Sequence, residues 1–169
     1  MKESELIMSV GGLPPMSAQG CKQSLSPVEI GEVLRDINGD LVRLGSNTQK
    51  YRSVITGQDV NSIALDGIWI GAQIQVGCIQ ALWVCVDKDI QDVRISRPAV
   101  EGSVIAINGA GNKIDIENID GTSLKLRYAT TEKSFIGFRP WLTTRVTNFI
   151  VQTDEWGNNC AWKLILEEI

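Results

Sequence analysis

The 169-residue chain contains no histidine. Imidazole supplies the base of Ser-His and Cys-His nucleophile pairs and is a frequent metal ligand, so the sequence excludes these classes of site. Paired carboxylates could still cleave glycosidic bonds, but nothing in the sequence selects one pair of acids from the others. We therefore expect no catalytic residues and predict that the chain is not an enzyme.

Cysteine is scarce, and its spacing does not suit structural zinc. The gaps between the cysteines never give a Cys-x-x-Cys pair, so we predict free and buried thiols, no metal ligands and no cofactor. The four cysteines are Cys21, Cys78, Cys85 and Cys160. Asp87, Asp89 and Asp92 alternate as calcium ligands can, but they lack the glycine turn and final acid of an EF-hand loop. We interpret this segment as an acidic loop.

The chain also has neither an excess of positive charge nor a long apolar run. The net charge is −4 and no basic cluster offsets it, which argues against binding to nucleic-acid phosphates. The longest apolar runs fall far short of the roughly 20 residues that span a bilayer. Residues 1–5 lack the features of a secretion signal. We expect no nucleic-acid partner, no membrane insertion and synthesis in the cytoplasm.

Apolar and polar residues alternate over most of the chain, and this period of two predicts strands. The pattern places Leu124, Leu126 and Tyr128 on one inward face. Hairpin turns are indicated at Asn108-Gly109 and at Asp120-Gly121. No long amphipathic helix interrupts the strands. The sequence therefore predicts an all-β fold, as an antiparallel β-sandwich or a barrel-like domain.

The first residues differ in composition from the rest. Residues 1–27 are rich in Gly, Pro, Ser and Gln, so we predict an extended N-terminal arm that adds little to the core and docks on a neighbour. Residues 28–169 are predicted to form a single β domain, with 87–133 as an inserted β-meander. Residues 26–29 could start a helix, but Asn38-Gly39 favours at most one helical turn followed by a hairpin.

The acidic pair near the C-terminus raises a choice between a carboxylate site with an aromatic platform and the tip of a hairpin. Asp154, Glu155 and Trp156 precede Gly157, and the following residues tolerate the positive φ of a tight connection. We predict a bend. The two carboxylates would keep the bend in contact with water or pair with Lys or Arg across an interface. Trp156 would pack on the sheet or on a neighbouring subunit.

Four stretches follow one another along the chain and together cover more than half of it. They read PPMSAQGCKQSLSPV, INGDLVRLGSNTQKYRSVITGQD, ALDGIWIGAQIQVGCI and FRPWLTTRVTNFIVQTDEWGNNCAWKLILEEI. This combination resembles the small tail or baseplate (tail-tip) proteins of long-tailed, siphophage-like bacteriophages, although residues 87–133 depart from the pattern. The resemblance implies a virion component without catalytic residues. It marks as structural signature or interface positions Arg139, Pro140, Asp154, Glu155, Trp156, Gly157 and Trp162.

Three functions follow as hypotheses. The first is a structural component of a phage tail or baseplate, which assembles in the host cytoplasm with other tail proteins and forms a homo-oligomeric ring. The second is a carbohydrate- or receptor-binding module of the virion, in which Trp69, Trp83, Trp141 or Trp156 stacks on sugar rings. The third is an enzyme that uses unassigned carboxylates.

Overall fold

The computed structural model describes residues 4–28, 31–45, 49–156 and 159–169. Within these ranges the chain is all-β and its strand pairs are antiparallel, which confirms the predicted fold class. The described residues contain no helix, and so none that is long and apolar enough to cross a membrane.

The strands of the described residues form four sheets. In chain order they are β1 (Ile7–Met8), β2 (Lys22–Pro27), β3 (Glu32–Arg35), β4 (Leu41–Leu44), β5 (Tyr51–Asp59), β6 (Gln73–Gly77), β7 (Leu82–Val86), β8 (Asp92–Arg94), β9 (Ile105–Asn108), β10 (Ile116–Asp120), β11 (Ser123–Leu126), β12 (Ser134–Phe138), β13 (Trp141–Thr153) and β14 (Cys160–Glu168).

The largest sheet has six strands in the order β1-β6-β13-β14-β5-β2 and curls into a half-barrel. The Gln23 side chain of β2 helps to close it, because its Oε1 accepts hydrogen bonds from the backbone N of Ile79 (2.7 Å) and of Gln80 (3.1 Å), just beyond β6. The alternating apolar residues of the central strand β14 are buried on the inner face, as predicted. They are Cys160, Trp162, Leu164 and Leu166.

Trp162 is the largest side chain of this first core and is only 3% exposed. Its ring lies over Gly57 of the neighbouring strand, so closely that a Cβ at Gly57 would collide with the indole. Its Nε1 donates a hydrogen bond of 2.7 Å to the backbone oxygen of Ser17. The glycine makes room for the indole, and the Ser17 carbonyl satisfies the buried donor.

A second core lies between two three-stranded sheets, β10-β11-β8 and β7-β12-β9. Its apolar side chains come from residues 82–138, a wider span than the predicted meander of 87–133. The buried members of this core are Val86, Val93, Ile95, Ala106, Leu124, Leu126, Ile136 and Phe138.

Turn predictions in this region hold, and one burial prediction fails. Asp120 pairs with Ser123 across a turn in which Gly121 has a φ of 57°, which confirms the hairpin. At the other predicted turn, Asn108 Oδ1 accepts bonds from the backbone N of Ala110 and Asn112. Tyr128, however, is 71% exposed, so its inward placement is wrong. Strand β11 ends at Leu126, and beyond it the alternation no longer follows a sheet face.

The N-terminal segment is built into the domain, so the expectation that it adds little to the core is wrong. Leu6 and Ala18 belong to the first core. Strand β2 pairs along its length with β5, from Lys22 with Thr56 to Pro27 with Tyr51. Strands β1 and β2 therefore form the two outer strands of the half-barrel. The composition of residues 1–27 gave no sign of these contacts, because most of them join residues that are far apart in sequence.

Candidate functional site

The hairpin of β3 and β4 is closed by a loop that its own polar groups hold together. Asp36 Oδ1 accepts hydrogen bonds from the backbone N of Asn38 (2.8 Å) and of Asp40 (2.9 Å). Gly39 adopts a φ of 85°, which residues with a side chain rarely do. Arg35 Nη1 donates to the Gly39 carbonyl oxygen at 2.7 Å. The predicted Asn38-Gly39 hairpin is confirmed, whereas the suggested helical turn falls partly on residues 29–30, which lie outside the described residues.

One face of this hairpin is apolar and uncovered. Residues paired across antiparallel strands share a face, so the pairs Leu34–Val42 and Glu32–Leu44 place three apolar side chains together. All four residues are exposed, because nothing else in the described chain packs on them. We call Leu34, Val42 and Leu44 the hairpin apolar face.

The opposite face of the hairpin is mixed. It carries the pairs Val33–Arg43 and Arg35–Leu41, and again every residue is exposed. Ile37 in the connecting loop is fully exposed, at 102% of its reference area. An isolated two-stranded hairpin is marginally stable in water, and clustered exposed apolar side chains mark interaction sites. The hairpin therefore has the features of a segment that is covered by a partner.

Two glycines lie between the hairpin and the six-stranded sheet. The pairing of β2 with β5 ends near Val28, whose backbone N donates to the Lys50 oxygen at 2.8 Å. Gly31 and Gly45 lie at the two ends of the hairpin with φ values of 105° and 135°. A Cβ at Gly31 would collide with the carbonyl oxygen of Leu44. The hairpin thus leaves the half-barrel at a point where the backbone requires glycine.

A second uncovered apolar surface lies on the outward face of β7-β12-β9, in which no residue is charged. Pairing places Trp83 and Ile105 on either side of Gly137, and Cys85 beside Phe135. The ring of Trp83 covers Gly137, where a Cβ would lie 2.9 Å from the indole. Trp83, Cys85 and Ile105 are exposed. This face therefore presents an exposed indole on an uncharged, largely apolar surface.

The signature residues Arg139 and Pro140 lie at the junction of β12 and β13. Arg139 forms an ion pair with Glu5 of the N-terminal segment, with 2.9 Å between Nη1 and the carboxylate, and its backbone N donates to Ser103 Oγ. The Pro140 oxygen accepts a hydrogen bond from the backbone N of Cys78 at 3.0 Å. Both residues therefore join segments of the fold.

The other signature residues lie at the far end of β13. Asp154 Oδ1 accepts a hydrogen bond from the backbone N of Trp156 at 3.2 Å, and Asp154 N donates to the Asn159 oxygen at 3.4 Å. These bonds are those of a bend, as predicted. Trp156 is 91% exposed, so it does not pack on the described part of the sheet. Gly157 lies outside the described residues.

The signature residues do not converge on one site. Strand β13 has 13 residues between its two ends, which corresponds to about 40 Å at the rise of an extended strand. Arg139 and Pro140 therefore lie far from Asp154, Glu155 and Trp156. Residues with such separation can support a fold or several contacts, but they cannot act on one small substrate.

Two features of the described residues concern metal binding and cysteine chemistry. No group of three Cys, Asp or Glu side chains gathers there as a metal site would require. The four cysteines are free, but only Cys78 and Cys160 are buried, so the predicted burial is wrong for Cys21 and Cys85. Burial raises the pKa of the Cys78 thiol to about 11, which makes it a poor nucleophile at neutral pH.

Sequence reasoning found the hairpin but missed its exposure. In the run Val33-Leu34 and again in Leu41-Val42, two apolar residues stand next to each other, so both faces of each strand carry one. A strand with one buried face would alternate instead. These adjacent apolar pairs were the signal in the sequence that both faces of the hairpin carry apolar side chains.

Comparison with protein-family models, with curated proteins and with solved structures gives no match to this chain.

Proposed function

We propose that this chain is a non-enzymatic structural subunit of a bacteriophage tail or baseplate, located in the virion near the tail tip, where it contacts other tail proteins and further copies of itself in a ring. The observation that carries the proposal is the projecting hairpin with its uncovered apolar face of Leu34, Val42 and Leu44.

Covering this face would stabilise an assembly. Full burial of one such side chain contributes roughly 1.5 to 3 kcal/mol, and because Leu34, Val42 and Leu44 are about half exposed, covering all three contributes roughly 2 to 4 kcal/mol before the cost of association is subtracted. Within the described residues β3 and β4 pair only with each other, so each leaves one backbone edge open. A neighbouring subunit could add a strand to either edge through main-chain hydrogen bonds.

The resemblance to tail proteins supports the same conclusion. One of the four similar stretches, INGDLVRLGSNTQKYRSVITGQD, includes the loop and second strand of the hairpin. The two properties are independent, because the resemblance rests on residue order and the exposure rests on packing.

A matched pair of variants tests the proposal. Val42 of the hairpin and Val60 outside it are exposed to similar extents. Val42→Arg and Val60→Arg should both fold with nearly unchanged melting temperatures, since surface substitutions change stability by about 0.5 kcal/mol or less.

Each variant would be expressed in an infected culture in place of the wild-type chain, and tails would be purified and probed with an antibody. We expect the wild-type chain and Val60→Arg in the tails, and Val42→Arg strongly reduced. Absence of the wild-type chain from purified tails would refute the proposed function. Normal incorporation of Val42→Arg would refute the role of the hairpin.

The second candidate function is a carbohydrate- or receptor-binding module. Trp69 favours it, because its side chain is 70% exposed and its ring is held edge-on by Phe149 at 5.6 Å between centroids. Trp83, whose ring lies against Gly137, offers a similar platform, whereas Trp141 is half-buried. Binding of purified chain to host-envelope glycans, lost in Trp69→Ala or Trp83→Ala, would support this function.

A further inference from the structure

A shallow cleft of about 510 Å³ opens on the outward side of the six-stranded sheet, across β2, β5, β14 and β13. The strand register brings Lys22, Thr56 and Lys163 into one row, since Thr56 pairs with both lysines. At the usual strand spacing the two lysine Cα atoms are about 10 Å apart. The cleft therefore presents two cations from a rigid part of the fold.

The cleft is positively charged although the chain as a whole is negative. No acidic residue lines it, and within the described part of the chain neither Lys22 nor Lys163 forms an ion pair. Gln58 and Gln152 flank the lysine row and add amide groups. Exposed Ile150, next to Lys163, adds an apolar contact. Two carboxylates beside an apolar group would fit this surface.

The chain itself carries such a segment. Asp154, Glu155 and Trp156 are all exposed at the bend after β13, and the acids form no ion pair with other described residues. The bend begins two residues after Gln152, which lines the cleft. Cleft and bend are therefore close together, so a two-fold axis between two copies would let each bend reach the other copy's cleft.

We infer that residues 154–156 of one copy bind the cleft of a second copy, with Asp154 and Glu155 facing Lys22 and Lys163 and with Trp156 covering Ile150. The contact is isologous, so both copies contribute the same residues and the contact closes at two copies; the ring of the proposed function joins such pairs through a separate surface. This inference rests on the proposed function as an assembly protein, for which it names one partner and one surface. It leaves the hairpin free for other tail proteins.

Charge reversal tests the contact on purified full-length protein. The cleft variant is Lys22→Glu/Lys163→Glu, and the bend variant is Asp154→Lys/Glu155→Lys. Their association constants would be measured by sedimentation at low salt and at about 0.5 M salt, where exposed ion pairs are screened. Circular dichroism and melting curves would establish that each variant is folded, and the neutral variants Lys163→Gln and Glu155→Gln would provide milder versions.

We expect the wild-type chain to form dimers that dissociate more readily at high salt. Each double variant should raise the dissociation constant by roughly tenfold or more, and each neutral variant by a smaller factor in the same direction. An equimolar mixture of the cleft and bend variants should associate as the wild type does, because each bend then meets a cleft of opposite charge. Trp156→Ala should weaken the dimer without changing the melting temperature.

Three results would overturn the inference: a wild-type chain that stays monomeric up to about 1 mM, association that the charge variants leave unchanged, or a mixture that fails to restore it. These outcomes are separate from the test of the proposed function. A monomeric chain that is nevertheless present in purified tails would refute only this contact. A dimeric chain that is absent from tails would refute only the role in the tail.

Discussion

Arg97 and Glu168 form a nearly buried ion pair that connects the two cores. The guanidinium Nε and Nη2 of Arg97 lie 2.6 and 2.8 Å from the two carboxylate oxygens of Glu168, and both side chains are 13% exposed. Glu168 also accepts the backbone N of Tyr51 at 2.9 Å, and the guanidinium stacks 4.7 Å from the Tyr51 ring centroid. Arg97 Nη2 further donates to the Gln49 oxygen. This network fixes the end of the half-barrel from which the hairpin leaves.

Arg97→Met should destabilise the chain by about 3 kcal/mol, because it leaves the Glu168 carboxylate nearly buried without its counter-ion. The hydrogen bond to Glu168 raises the pKa of Arg97 above its ordinary value, which means that folding favours the charged guanidinium. Urea unfolding would measure the loss. Arg94→Met is the control, because Arg94 is exposed, and it should change the free energy of unfolding little. Equal effects of the two substitutions would contradict the role assigned to the pair.

Gly57→Ala should cost about 1 to 3 kcal/mol, because the new methyl group would displace the ring of Trp162 from a packed core. Thermal melting monitored by tryptophan fluorescence would show the loss. Gly12→Ala is a matched control, since the nearest atom to its Cβ would be 4.0 Å away. It should leave the melting temperature nearly unchanged, and a drop as large as that of Gly57→Ala would count against the packing argument.

The Cys78 thiol should make stability depend on alkaline pH. Burial raises its pKa from 9.0 to about 11 in the folded chain, so between these values the unfolded chain loses a proton that the folded chain keeps. The contribution is complete below pH 9 and is lost as the pH rises to 11, and it amounts to about 2 kcal/mol.

Free energies of unfolding measured by urea from neutral pH to pH 11 would test this dependence. Stability of the wild-type chain should fall more steeply above pH 9 than that of Cys78→Ala. Cys85→Ala removes an exposed thiol and should keep the wild-type slope. Parallel curves for the wild-type chain and Cys78→Ala would show that Cys78 does not contribute.

Deletion of residues 1–27 should unfold the chain or lower its melting temperature markedly, because it removes both outer strands of the half-barrel and the core side chains of Leu6 and Ala18. Replacement of residues 31–45 by a short glycine-serine linker is the comparison, since no hairpin residue belongs to either core. That variant should melt near the wild-type temperature. If deletion of residues 1–27 left the melting temperature unchanged, this would contradict the observed pairing of β1 and β2 with the half-barrel.

Local signals in the sequence predicted local structure well. Asn38-Gly39 and Asp120-Gly121 specify turns because glycine tolerates positive φ, and the alternation from Cys160 to Leu166 identifies the buried face of β14. The pairing of Arg97 with Glu168 could not be predicted, because nothing in the composition relates two residues 71 positions apart. The cleft could not be predicted for the same reason, since Lys22 and Lys163 come together only because both pair with Thr56.

The order of strands in the half-barrel has a consequence for biosynthesis. Strands β1 and β2, at its two edges, leave the ribosome before β13 and β14, with which the inner strands β6 and β5 pair. The sheet cannot close until β14 has been synthesised, and such long-range pairing folds slowly. During that interval β5 and β6 have only the edge strands β2 and β1 as partners, and their other edges stay unpaired. The half-barrel therefore forms only after β14 has left the ribosome, and until then the open edges of β5 and β6 are exposed to contacts with other unfinished chains.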